Sequence, residues 1–112
     1  MIFVFGSNES GIHGGGAAKV ARDSYGAIWG VGFGRHGNSF AIPTKSWGIE
    51  ETLPLPVIRH YVDAFKRYAS FAPVTEFKVT QLGCGLAGLK ARDIAPMFGN
   101  YILDFLEEVI YY

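Results

Sequence analysis

The sequence predicts an α/β domain, and three stretches carry that prediction. The apolar, β-prone run Ile2-Phe3-Val4-Phe5 leads into a glycine-rich loop and then into Ala17, Ala18, Val20 and Ala21, residues compatible with one face of a helix. A second unit of the same kind follows later: Phe77-Lys78-Val79-Thr80-Gln81-Leu82 reads as a strand and runs into Gly83-Cys84-Gly85-Leu86-Ala87-Gly88-Leu89, followed by another helical pattern. Between the two lies the clearest amphipathic helix of the chain, introduced by Leu53-Pro54-Leu55-Pro56.

The first loop, from Gly6-Ser7-Asn8 to Gly14-Gly15-Gly16, organises the rest. Strand, glycine loop and helix together aim free backbone N–H groups and the positive end of a helix dipole at an anion. Glycine costs about 1 kcal/mol against alanine as helix material, so three in a row at a helix start imply close approach of something to the backbone. The alternative is a turn whose glycines merely let helix and strand pack. His13, just before the triple glycine, reads either as local acid/base chemistry or as a cap of the helix.

From Tyr25 to Asn38 the chain is again rich in glycine and reads as a long turn or loop, with Trp29, Phe33, Arg35 and His36 available for packing or for a ligand. Gly32-Phe33-Gly34-Arg35-His36-Gly37 formally matches the dinucleotide fingerprint, but it leads into the strand Ser39-Phe40-Ala41-Ile42, whereas the fingerprint must open a helix. The match is rejected. Pro43 is expected to stop that strand, and Lys45 then stands just past its C-terminal end, the edge at which α/β sheets bind ligands. A solvated loop lysine is the ordinary alternative.

In the amphipathic helix, Val57, Ile58, Tyr61, Val62, Phe65, Tyr68 and Ala69 recur at helical spacing; Arg59, Asp63, Lys66 and Arg67 take the other face, His60 is a surface residue, and Pro73 closes the unit. After the second loop, Asp93 is expected as an N-cap and Pro96 as a first-turn residue. Ile94, Met97, Phe98, Ile102, Phe105 and Leu106 continue an apolar stripe with a weak point at Gly99-Asn100, and Val109-Ile110-Tyr111-Tyr112 reads as a last short strand. In a parallel or mixed sheet the two glycine loops open on one rim and form a cleft of backbone donors suited to a pyrophosphate. Neither carries the lysine-serine/threonine pair that a P-loop uses for a triphosphate and magnesium.

At 112 residues the chain is expected to form one domain, residues 1–112. A hydrophobic content of 49% against 18% charged residues excludes disorder, and a net charge of zero excludes general attraction to nucleic acid or anionic membrane. A single cysteine, Cys84, excludes an internal disulfide framework and fits a reducing compartment. No signal peptide and no apolar run of spanning length is present, so a cytoplasmic protein without a membrane partner is expected. Three scattered histidines give no metal-ligand spacing, and no metal or cofactor is expected.

Three segments together resemble a known family. Gly6-Ser7-Asn8 with Gly14-Gly15-Gly16-Ala17-Ala18 looks like the first loop of macro domains, which bind ADP-ribose. Gln81-Leu82-Gly83-Cys84-Gly85-Leu86-Ala87-Gly88-Leu89 resembles their second loop, closest to the branch of DNA ADP-ribosyl glycohydrolase antitoxins and terminal ADP-ribose protein glycohydrolases. Ile42-Pro43-Thr44-Lys45-Ser46-Trp47 is similar to the segment that supplies the catalytic lysine there. The three occur in the family's order over about residues 2–98, and short proteins of this kind resemble ones found in phage and bacterial genomes.

The resemblance implies a small three-layer α/β/α fold with a mixed sheet, truncated at the N-terminus relative to full macro domains. It implies that Gly14, Gly15 and Gly16 face the pyrophosphate or distal ribose, with Gly6, Ser7, Ala17 and Thr44 beside them, and that Asn8 binds or orients the ribose hydroxyls. Gly83, Cys84, Gly85, Leu86, Ala87 and Gly88 wrap the other side of the diphosphate. Lys45 is then the reactive or electrostatic residue beside the anomeric carbon.

The sequence departs from the family in two ways. The aspartate that works with the lysine is replaced by Ala87 or Gly88, leaving Asp93 further on to point back or His13 to substitute. The initial strand and the aspartate that reads adenine lie before the point where this chain starts. Three functions follow as alternatives. One is a glycohydrolase acting on an ADP-ribosylated protein or nucleic acid, with Lys45, His13 and Asp93 as candidate catalytic residues. Another is a non-catalytic binder of ADP-ribose or a derived nucleotide. The last is a structural subunit with no nucleotide ligand, in which Trp29, Trp47 and the apolar tail supply a homodimer face.

Overall fold

The computed structural model describes residues 1–49, 51–72, 76–84 and 87–99. They form a four-stranded mixed sheet flanked by helices on both faces. The strands are β1 (Ile2–Asn8), β2 (Gly34–His36), β3 (Ser39–Lys45) and β4 (Phe77–Val79), in the spatial order β2-β3-β1-β4. β1 is central and runs parallel to both β3 and β4, while β2 pairs antiparallel with β3. The helices are α1 (Gly16–Ser24), α2 (Leu55–Phe71) and α3 (Ala91–Phe98), with one 3₁₀ turn at Trp47–Ile49.

Alternation along β1 decides what each face meets. Phe3 and Phe5 point to one side, where with Ala41 they pack on Ala17, Ala18 and Ala21 of α1. Small residues bring that helix close to the sheet; Val20, expected on the same face, is instead 38% exposed. Ile2 and Val4 point to the other side and join the larger core. There α2 buries Ile58, Val62, Phe65 and Ala69, spaced four, three and four residues apart, and α3 buries Ile94, Met97 and Phe98. Phe65 is the hub, its ring edge-on to those of Phe40, Phe77 and Phe98 at 5.0, 5.4 and 5.8 Å.

The fold corrects several expectations. The strand beginning at Ser39 does not stop at Pro43 but continues to Lys45. The Phe3 N–H donates to the Asn38 carbonyl, so the even-numbered residues of β3 bond toward β1 and Pro43 turns its nitrogen to the β2 side. β2 has no residue there, since its last pair is Gly34 with Ala41, and the missing N–H costs no ladder bond. The glycine-rich stretch before it is no simple loop: Gly34–His36 and Ser39–Lys45 make a hairpin, the context in which the dinucleotide fingerprint was rejected.

Asp93 is not the N-cap of α3. Lys90 is, and Asp93 lies in the first turn, where its charge suits the helix dipole. Because the helix starts earlier than expected, Pro96 falls inside it rather than in its first turn. Gly99, with φ of +58°, ends it. The strand expected over Phe77–Leu82 is shortened to Phe77–Val79, Thr80 adding an N–H bond to the Val4 carbonyl. Pro73, Asn100, Ile102, Phe105, Leu106 and the expected final strand lie outside the described residues.

Candidate functional site

Because β1, β3 and β4 are parallel, their C-terminal ends share one rim, and the segments leaving them meet there. The chain passes from β1 through α1 to β3 on one side, then returns through α2 to β4 on the other. The end of β1 is therefore the switch point at which ligands of open α/β sheets bind. A cavity of about 180 Å³ opens there. Its wall combines Gly6, Ser7, Asn8, Gly14 and Gly15 from the first loop, Thr44 and Lys45 from β3, and Gly83 and Ala87 from the second loop. Residues about 70 positions apart in the chain thus face each other across a single space.

Two close approaches fix this geometry. A Cβ on Gly6 would lie 3.2 Å from the Gly83 nitrogen, so the second loop closes directly onto the backbone of β1. In the first loop, the Asn8 side chain acts as an internal brace. Its Oδ1 accepts from the Ile12 N–H and the Ser10 hydroxyl, both at 2.9 Å, and its Nδ2 donates to the Ile12 carbonyl at 2.8 Å. One amide hydrogen of Asn8 remains for a ligand. The loop is held from outside by Gly32, where a Cβ would sit 2.1 Å from the Asn8 carbonyl oxygen.

α1 begins at this cavity with Gly15 as its N-cap, and no side chain caps it. Among the described residues no side chain therefore meets the first N–H groups of the helix, the arrangement that suits an anion. His13 therefore does not cap the helix. It is fully buried, with its Nε2 3.1 Å from Ser7 Oγ and its ring edge-on to Phe5 and Trp29. Burial holds the imidazole below its ordinary pKa, with Arg22 and then His36 adding to the effect, which favours the neutral ring.

Lys45 ends β3 at the rim, half-buried. Among the described residues its ammonium has no hydrogen-bond or ion-pair partner, whereas Lys19 and Lys66 pair with Asp23 and Asp63. The cavity wall contains no carboxylate among the described residues.

Comparison with known proteins gives no matching family model, no matching curated protein and no matching solved structure.

Of the residues singled out in the sequence, Gly6, Ser7, Asn8, Gly14, Gly15, Thr44, Lys45, Gly83 and Ala87 line the cavity. Gly16 and Ala17 are buried in the first turn of α1, Cys84 is half-buried, and Gly88 and Asp93 are exposed, none of them in the cavity wall. Gly85 and Leu86 lie outside the described residues. Sequence reasoning missed Ile12, Ala18 and Ile49 as lining residues. Ala18 had a signal, being one helical turn from Gly14 and Gly15; Ile49 had none, since it reaches the rim through a 3₁₀ turn. Phe33 and Arg35, both exposed, stand outside the cavity wall: Phe33 lies edge-on to Phe40, and Arg35 donates to the Tyr68 hydroxyl at 2.8 Å. Among the described residues no cluster of side chains has metal-binding geometry, and no helix is long and apolar enough to cross a membrane.

Proposed function

We propose that the chain binds ADP-ribose, or an ADP-ribosyl group, at this rim, as its resemblance to macro domains implies. The observation that carries the reading is the convergence of all three resembling segments on one cavity, with Gly14 and Gly15 on one wall, Lys45 on the next and Gly83 on the third. Backbone N–H groups at a helix start, a second glycine loop and an unpartnered ammonium together suit a diphosphate. A cavity of about 180 Å³ takes the ribose–diphosphate portion, and the adenosine end extends beyond it.

As an enzyme, the protein would hydrolyse the bond between the anomeric carbon and the acceptor, water supplying a hydroxyl to the ribose and a proton to the departing group. Lys45 has two roles open to it, attack on the anomeric carbon as a free amine or electrostatic stabilisation as an ammonium. In the second role the ammonium would stabilise negative charge on the leaving atom or on the neighbouring phosphate. The decisive assay is release of ADP-ribose from ADP-ribosylated DNA and protein. Release by the wild type, reduced at least a hundredfold in Lys45→Ala, supports hydrolysis; equal release by both variants contradicts the assignment of Lys45.

One observation favours a second reading. No carboxylate lines the cavity among the described residues, and Asp93 is on an exposed face of α3 outside it. A site with a diphosphate cradle and no lining carboxylate among the described residues is suited to sequestering ADP-ribose or a related nucleotide rather than cleaving it. Saturable binding without release in the same assay selects this alternative.

A further inference from the structure

We propose that Ser7 is an anion-binding donor, its hydroxyl hydrogen turned into the cavity by His13 behind it to meet an anionic oxygen of a phosphate or diphosphate. The inference rests on reading the cavity as a diphosphate site and adds the side chain that recognises the charge.

The argument begins with the buried ring. His13 is fully buried, and its Nδ1 has no hydrogen-bond partner among the described residues. A neutral imidazole carries one hydrogen, on Nδ1 or on Nε2. Placed on Nδ1, it would be a buried donor with no acceptor, and orphaned buried N–H groups are rarer and costlier than a bare acceptor. The hydrogen therefore belongs on Nε2, where it is donated to Ser7 Oγ at 3.1 Å. That assignment fixes the serine as well. Its oxygen is engaged as an acceptor, and among the described residues its own hydrogen has only the Asn8 carbonyl nearby, at 3.4 Å, beyond the usual range for an O–H···O bond.

The remaining direction is the cavity. Ser7 alternates with Phe3 and Phe5 and so shares the α1 face of the sheet, on the side where Gly14, Gly15 and Ala18 form the wall. The hydroxyl then joins the backbone donors at the start of α1, and its oxygen is polarised by the imidazole N–H behind it, which strengthens it as a donor. His13 acts through Ser7 as a positioning residue. An Nε2 that already carries a hydrogen cannot take the serine's, so the pair is not a nucleophile with its base.

Two measurements test this. A long-range ¹H–¹⁵N spectrum of the histidine side chains reads the tautomer in the wild type; the expected result is a protonated Nε2 and a bare Nδ1, and the reverse overturns the proposal. Inorganic pyrophosphate and ADP-ribose are then titrated into the wild type, Ser7→Ala and His13→Gln, whose amide N–H stands where the imidazole N–H was. Ser7→Ala is expected to weaken pyrophosphate binding at least tenfold, with His13→Gln retaining most of it. Pyrophosphate binding equal in Ser7→Ala and wild type, or no saturable binding to the wild type, overturns the inference. Serine-dependent pyrophosphate binding without ADP-ribose binding supports the inference and defeats the ADP-ribose reading; ADP-ribose bound equally by both proteins does the opposite.

Discussion

Lys45 stands opposite Asn8 across the parallel β1–β3 pair because the register slips there: Ser7 pairs with Pro43, but Asn8 pairs with Lys45. Thr44 is the extra residue of this bulge. Were the register to continue unshifted from Ser7 and Pro43, Thr44 would face Asn8, and the lysine would fall one position further along, on the opposite face of the sheet. The bulge therefore joins the lysine to the first glycine loop. Inserting one alanine between Thr44 and Lys45 moves the lysine a position beyond Asn8 and should weaken ligand binding at least tenfold while leaving far-ultraviolet circular dichroism unchanged, and retained binding would show that the alignment has no role.

The glycines divide into two kinds, and substitution separates them. A Cβ on Gly14 meets no atom within 4 Å, so Gly14→Ala should leave the melting temperature unchanged or slightly raised. Ligand affinity should nevertheless fall at least tenfold, because the methyl group occupies space the ligand needs. At Gly32 the same change places a Cβ against the Asn8 carbonyl and should cost about 2–3 kcal/mol, visible in a denaturant melt. If Gly14→Ala binds as the wild type does, the ligand does not approach that glycine.

Asn8 is expected to be structural as well as functional. Asn8→Ala removes three hydrogen bonds that shape the loop, and the net loss should be about 2–3 kcal/mol at roughly 1 kcal/mol per bond. Unchanged stability in a denaturant titration would mean that the loop holds its shape by other means.

The pH dependence follows from His13. Its native pKa lies below the ordinary 6.5, so near pH 6 the unfolded chain binds more protons than the folded one. The stability due to the neutral buried ring is complete above about 6.5 and is lost as the pH falls toward the depressed native value. Arg22 and His36, the charged and titratable groups acting on the ring, push in the same direction. Thermal melts from pH 7.5 to 5 should therefore decline more steeply for the wild type than for His13→Gln; parallel curves would contradict it.

Much of the fold was legible in the sequence because its strongest patterns are local. The stripe of Ile58, Val62, Phe65 and Ala69 declares α2, and the run Ile2–Phe5 declares the strand that proves central. Pro43 misled because a strand's tolerance for proline depends on which neighbour its nitrogen faces, and the sequence does not show where β2 ends. Asp93 misled because a good capping residue and an acidic first-turn residue look alike until the helix start is known. Around the cavity, Gly6, Gly14, Gly15, Gly83 and Lys45 could be named in advance as neighbours, since each stands in or beside a segment that follows a strand with a local apolar pattern. The Ser7–His13 contact could not, because it depends on the turn through which residues 8–13 double back onto β1.

The central claim is that this rim recognises ADP-ribose, and titration calorimetry with ADP-ribose and AMP, using wild-type protein and Lys45→Ala, tests it most directly. The account predicts saturable binding of ADP-ribose, at least tenfold tighter than AMP, because AMP lacks the diphosphate and distal ribose that the cavity is proposed to hold. Weaker binding by Lys45→Ala, with an unchanged melting temperature in the absence of ligand, would place the lysine at the ligand. No heat and no thermal stabilisation at millimolar ADP-ribose would contradict the account.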